Sequence, residues 1–255
     1  MADRGRLPGL PLRAIIPNAI TAMALCTGLS GVWFGMHGHW EKALAAIIGA
    51  GILDGLDGRV ARFLKGESRF GAELDSLSDV IAFGVSPALV LYMWSLQYMP
   101  RFGWTVAVFF VLCQALRLAR FNARIDVQEQ PHKSAGFNTG VPAPAGAGLA
   151  LLPLIIWLET GWDARELWLV GPWMLFVALL MVSSIATFSW KSIKIRPSAR
   201  FVALVALAGV GAALIAAPLI TLAAICAVYL ALIPLSMISY ARLRRSRKPA
   251  TTEAA

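Results

Sequence analysis

Charge is scarce in this chain. Only 15% of its 255 residues are Asp, Glu, Lys or Arg, while 58% are apolar and the mean hydropathy is +0.68. A soluble domain carries about a quarter charged residues, so the composition excludes that class and points to a membrane protein. Cysteine and histidine are scarcer still. Cys26, Cys113 and Cys226 lie in apolar segments with no CxxC or zinc spacing, which leaves them as packing residues. His37, His39 and His132 form no metal-ligand pattern, and the first two fall in a short polar turn. Strand-period alternation and solenoid repeats are missing too. There is no soluble basic domain with aromatic platforms, so the net charge of +9 is not a nucleic-acid signal.

Long apolar runs fill the chain instead. Windows of about 17–25 apolar residues predict eight spans, at about 14–36, 41–61, 77–98, 103–122, 142–158, 168–190, 200–217 and 219–240. The first follows basic residues, but it is too long for a signal peptide and is read as a membrane helix. Backbone polar groups in lipid must be satisfied internally, so the expected fold is all-α, a polytopic transmembrane helix bundle. Its expected parts are a cytoplasmic N-terminal segment (1–13), a six-helix catalytic core (14–190), two further helices (191–241) and a basic cytoplasmic tail (242–255).

The basic residues orient that bundle. With eight spans, one side holds Arg4, Arg6 and Arg13, the clusters Arg59–Arg69, Arg117–Lys133 and Lys191–Arg200, and the tail from Arg242 to Lys248. Only Lys42, Arg101 and Arg165 fall on the other side. The positive-inside rule then puts both termini in the cytoplasm. The excess of positive charge is a topology signal and an attraction for anionic lipid headgroups.

Against that background, four carboxylates stand close together: Asp54, Asp57, Asp75 and Asp79. The first pair is spaced i, i+3 and the second i, i+4, so on helices each pair shares one face. They fall at the cytoplasmic end of span two and the start of span three, joined by a short loop that lets the pairs face each other. Such a cluster of oxygen ligands suits Mg²⁺ or Mn²⁺. Gly58 and Gly71 give a phosphate access to the backbone, and Arg62 and Arg69 offer planar donors to its oxygens. Acidic residues at helix ends also serve as plain caps, but four of them, paired on adjacent helices, exceed what capping requires.

At these residues a family resemblance emerges. Asp54-x-x-Asp57-Gly58-x-x-Ala61-Arg62, followed by Gly71-x-x-x-Asp75-x-x-x-Asp79, resembles the signature of the CDP-alcohol phosphotransferases. These integral membrane enzymes move a phosphoalcohol unit from a CDP-linked donor to a second alcohol and release CMP. The resemblance implies that Asp54, Asp57 and Asp75 bind metal, with Asp79 a further ligand and the general base. It implies that Gly58, Ala61, Arg62 and Gly71 line the cytidine and phosphate pocket. Pro17-Asn18-x-x-Thr21 is similar to the family's N-terminal segment, whose Asn and Thr approach the nucleotide; Asn18 also suits a helix cap.

Two further runs are similar to the branch of the family that makes phosphatidylserine. They are Arg117-Leu118-Ala119-Arg120-Phe121-Asn122 and Phe137 to Ala145. The expected substrates are then CDP-diacylglycerol, held in the lipid bilayer, and L-serine. Arg117, Arg120 or Lys133 would pair with the serine carboxylate, and Asn122, Ser134 and Asn138 would hold its ammonium group. The arginines also suit cytoplasmic anchors. Choline, glycerol 3-phosphate or an inositol species are the rival acceptors, and an ion-coupled transporter is the rival of another class. The resemblance further implies a homodimer and a prokaryotic inner membrane.

Overall fold

The computed structural model describes residues 12–123, 137–162, 167–183, 185–188 and 200–246. Helices dominate it. In chain order they are α1 (Leu12–Met36), α2 (Trp40–Phe63), α3 (Arg69–Asp79), α4 (Ser86–Trp94), α5 (Gly103–Ala123), α6 (Ala143–Ala150), α7 (Leu152–Thr160), α8 (Leu167–Val182), α9 (Arg200–Ala216) and α10 (Pro218–Ser246). Two elements depart from the all-α expectation: β1 (Phe137–Thr139) and β2 (Ala186–Phe188) pair as an antiparallel ribbon. Three residues per strand are too few to show as a period in the sequence. Residues 1–11 of the expected N-terminal segment, Lys133, Ser134 and the run from Lys191 to Arg196 lie outside the described residues, and the segment's last two residues belong to α1. Helix α10 continues to Ser246, past the point where the tail was expected to begin.

Helices α1 and α2 pack along each other as a hairpin turned at Gly38, which adopts φ +72°. Small residues let them close up. A Cβ on Gly31 would lie 3.1 Å from the Ala43 carbonyl oxygen, and one on Gly35 would lie 2.9 Å from Met93 Cε. Both glycines are therefore used in packing within the chain. Helix α3 runs into α4 through a π-helical turn, Val80–Val85, and the whole stretch Arg69–Trp94 is long and apolar enough to cross a membrane. Pro87 explains the irregular turn. It has no N–H to return to the Phe83 carbonyl, so regular α-helix cannot pass through this point.

Among the described residues, four helices are long and apolar enough to span a bilayer, and five if the bent pair α6–α7 counts as one. Helices α8 and α9 are apolar but shorter. The 43° bend between α6 and α7 has an identifiable cause. Pro153 leaves the Leu149 carbonyl without its helical donor, and the indole Nε1 of Trp173 on α8 donates to it at 2.7 Å. The core sits where α4, α5, α7 and α8 meet, around Trp94, Phe110, Leu154 and Met174, all essentially buried. Helix α9 buries no residue. Apolar on every side, it is built for lipid rather than for water.

Candidate active site

The four aspartates come from two helices whose local sequence fixes where they point. Helix α2 carries Asp54 and Asp57 toward its end. The chain turns through Lys65, at φ +50°, and Gly66, then re-enters helix at α3. Ser68 caps that start by accepting a hydrogen bond from the Gly71 N–H at 3.0 Å. Gly66 permits the turn to close against α1, since a Cβ there would lie 2.1 Å from the Arg13 carbonyl oxygen. That carbonyl is one Pro17 cannot bond within α1. The two pairs of carboxylates are thereby brought together, as their spacing predicted.

Ligand oxygens of Asp54, Asp57 and Asp75 lie within 4.8 Å of one another. Asp79 stands outside that set of three, with its carboxyl within hydrogen-bonding reach of Asp54. One Asp79 oxygen, Oδ1, is buried without a hydrogen-bond partner. A buried carboxylate oxygen left unpaired beside three further carboxylates is costly unless a cation completes it. An all-oxygen donor set of this kind fits a hard divalent ion. Thr21 holds Asp57 in place. Its hydroxyl donates to Asp57 Oδ2 at 2.5 Å and also lies 3.1 Å from the Pro17 carbonyl, with both side chains buried.

A cleft of about 260 Å³ opens beside this cluster. Asn18, Thr21, Gly58, Ala61, Arg62 and Gly71, the six residues expected around the nucleotide, all line it, with Asp57 and Asp75 among its walls. The glycines differ in use. At Gly58 the nearest atom to an added Cβ is Arg62 Nη1 at 3.9 Å, so that backbone is open to a ligand. Gly71 instead makes room for Asn18, whose Oδ1 would lie 2.7 Å from an added Cβ. Asn18 is no helix cap, because α1 begins at Leu12. Its Nδ2 is buried without a hydrogen-bond partner, beside the cleft.

The expected acceptor residues divide. Arg117 stands close enough to Asp79 for its guanidinium to act on that carboxylate. Arg120 turns elsewhere and donates from Nη2 to the Ser183 carbonyl at 3.1 Å. Asn122 donates from Nδ2 to Ser76 Oγ at 2.9 Å, next to Asp75. The Phe137–Ala145 run forms strand β1, the Gly140 turn at φ +73° and the start of α6, and the Gly140 N–H donates to the Ile185 carbonyl at 2.7 Å. Sequence reasoning missed Ser68, Ser76 and Ser78, the last 3.3 Å from the Thr21 carbonyl. Ser68 had a local signal, a serine just before a helix. The other two are tied to distant parts of the chain and had none.

Eight spaced residues on two helices, closing around one cleft and one carboxylate cluster in a membrane bundle, define a class, and comparison with known families agrees. The family model described as CDP-alcohol phosphatidyltransferase matches residues 14–190, and the chain belongs to that family. Three relatives carry the same name, CDP-diacylglycerol–serine O-phosphatidyltransferase. The Mycobacterium bovis protein is 40% identical over 227 residues, 88% of this chain and 79% of the relative. The Helicobacter pylori protein is 35% identical over 185 residues, 71% and 74% of the two chains. The Methanocaldococcus jannaschii protein is 39% identical over 132 residues, 52% and 56%.

Proposed function

We propose that this protein transfers the phosphatidyl group of CDP-diacylglycerol to the hydroxyl of L-serine and releases CMP. The observation that carries the reading is the cleft, where the expected nucleotide residues and two of the carboxylates line one space. The names of the relatives supply the lipid donor and the amino-acid acceptor. A transporter reading loses its support, because the carboxylates belong to a family signature rather than to an isolated intramembrane cluster.

In this reading Asn18, Gly58, Ala61 and Gly71 hold the cytidine end of the donor, and Arg62 holds a phosphate oxygen. Asp54, Asp57 and Asp75, with Asp79 as a further ligand, would hold Mg²⁺ or Mn²⁺, which would supply positive charge against the pyrophosphate and the departing CMP. Asp79 takes the proton of the serine hydroxyl. The serine oxygen forms its bond to the phosphorus bearing diacylglycerol as the bond from that phosphorus to the CMP oxygen breaks. Arg117 is the favoured partner of the serine carboxylate, since its charge acts on Asp79 and its Nε is buried without a hydrogen-bond partner. Asn122, near Asp75, and Lys133 complete the acceptor set. Arg120 acts at one remove by tying α5 to the Ser183 carbonyl.

The bundle crosses the membrane eight times in this account. The crossings are α1, α2, the α3–α4 stretch, α5, the α6–α7 pair, α8, α9 and α10. Both termini and the carboxylates face the cytoplasm, where serine and CDP-linked donors are available, and the membrane is a prokaryotic inner membrane. Residues 14–190 form the catalytic core, and the assembly is a homodimer. The acceptor is tested by replacing Arg117 and Arg120 separately with Lys. Arg117→Lys raises the KM for serine more than that for donor, while Arg120→Lys changes both less. The reverse order would move the carboxylate site to Arg120.

A further inference from the structure

The proposed reaction leaves one fully buried polar side chain without a task. Gln114 on α5 is 0% exposed, and among the described residues neither its Nε2 nor its Oε1 has a hydrogen-bond partner. Buried amides ordinarily satisfy both ends, because orphaned polar atoms cost stability. Packing gives no reason for this one, since an apolar side chain of similar volume would fill the place at lower cost. Its position supplies a reason. Gln114 precedes Arg117 by three residues, so the two share a face of α5 about one turn apart. The Arg117 guanidinium acts on Asp79, and its Nε is likewise buried without a partner. The π-helical turn that follows Asp79 packs against Gln114. A Cβ on Gly84 would lie 3.1 Å from Gln114 Cγ, so the glycine makes room for the glutamine stem and fixes its level. Farther along this face of α5, Phe110, Ala107 and Val106 are buried and apolar. The polar run from Asp79 and Arg117 therefore ends at Gln114, as at a floor.

A free amino acid brings two charges into such a space. Arg117 answers the carboxylate, but a guanidinium has donors only and cannot take the ammonium group. Asp79 is engaged with the hydroxyl proton and the metal in the proposed reaction. An amide oxygen is uncharged and has two lone pairs, so it can accept from an ammonium group without competing for the metal. Gly84, which sets the level of Gln114, follows Asp79 by a rise of about 7.5 Å, which a small amino acid held between two side chains can bridge. Resting on the proposed function, we infer that Gln114 is a specificity-determining residue of the acceptor site. Its Oε1 accepts from the serine ammonium group while Arg117 takes the carboxylate. Choline has no N–H to donate, and glycerol 3-phosphate and inositol have no nitrogen, so none of them gains from the amide.

The test uses the full chain in detergent. CMP release is measured against serine and against CDP-diacylglycerol in turn, and thermal unfolding is measured without serine. Gln114→Met and Gln114→Leu both keep the volume and remove the amide, so one misfolded variant does not decide the matter. The expected result is a rise of at least about tenfold in the KM for serine, as one hydrogen bond to a charged group is lost, with the donor KM within about twofold of the unaltered protein. The unfolding midpoint without serine is expected to hold or rise, because two orphaned polar atoms are gone. An unchanged KM for serine, equal rises in both KM values, or a lower midpoint in both variants overturns the inference and leaves the proposed function standing. If CMP release by the unaltered protein does not depend on serine, the proposed function falls and the assignment of Gln114 falls with it.

Discussion

Asp79 is the residue on which the proposed proton transfer turns. It lies within hydrogen-bonding reach of Asp54 and within the field of the Arg117 guanidinium, and one of its buried oxygens has no hydrogen bond. Asp79→Asn keeps the shape and removes the base, so CMP release should fall by about 10²–10⁴-fold while donor binding persists. Full activity in that variant, measured under saturating donor, would remove Asp79 from the proton transfer. Thr21 acts through Asp57. Thr21→Val keeps the volume and deletes the 2.5 Å hydrogen bond, so the metal concentration giving half-maximal activity should rise about 10–100-fold. An unchanged metal requirement would make Thr21 a packing residue only. The aspartate pairs were legible because helical spacing converts sequence separation into shared faces, and the cleft residues because they fill positions of the family signature and of its N-terminal segment. Arg117 and Arg120 were not separable in the same way. Both lie on α5 three residues apart, and only their distant neighbours, Asp79 and the Ser183 carbonyl, distinguish them.

Helix ends were legible to within a few residues for α1, α2, α5, the α6–α7 pair and α9. The third span, however, begins at Arg69 rather than 77, the sixth ends at Val182 rather than 190, with β2 following, and α10 runs on to Ser246. The breaks inside the helices were not legible, although each has a proline behind it. Pro153 frees the Leu149 carbonyl, and the partner that rescues it, Trp173, lies on another helix. Trp173→Phe should therefore cost about 1–3 kcal/mol, as a buried carbonyl is left unpaired. An unchanged midpoint in thermal unfolding in detergent would contradict that role. The ribbon of β1 and β2 escaped the sequence reading because its register depends on pairing Phe137 with Phe188, far apart in the chain. Gly140 turns that ribbon into α6. It adopts φ +73°, and a Cβ would lie 2.7 Å from the Met181 carbonyl oxygen. Gly140→Ala should cost at least about 1–2 kcal/mol from the left-handed backbone alone. No loss of stability would show that the turn can relax.

Over the whole molecule, charge and cleft are linked through the proposed topology: its eight spans gather the basic residues on one side, and the polar cleft opens where α2 ends and α3 begins. The topology predicts that single cysteines introduced by Lys65→Cys and Lys42→Cys, in a background without Cys26, Cys113 and Cys226, label from opposite sides of a sealed membrane. Labelling from the same side would break the eight-span arrangement. The family was legible from eight residues, because its signature sets them at fixed spacing within one short window. The acceptor was less so, because an amino acid is held by few groups from several elements. It therefore governs the most direct test. Purified protein is given CDP-diacylglycerol and Mg²⁺ or Mn²⁺, and CMP release is measured with and without L-serine, with choline, glycerol 3-phosphate and inositol in parallel. The account predicts release that requires serine and metal together and vanishes in Asp79→Asn. Release driven by another alcohol, with serine inert, would contradict it.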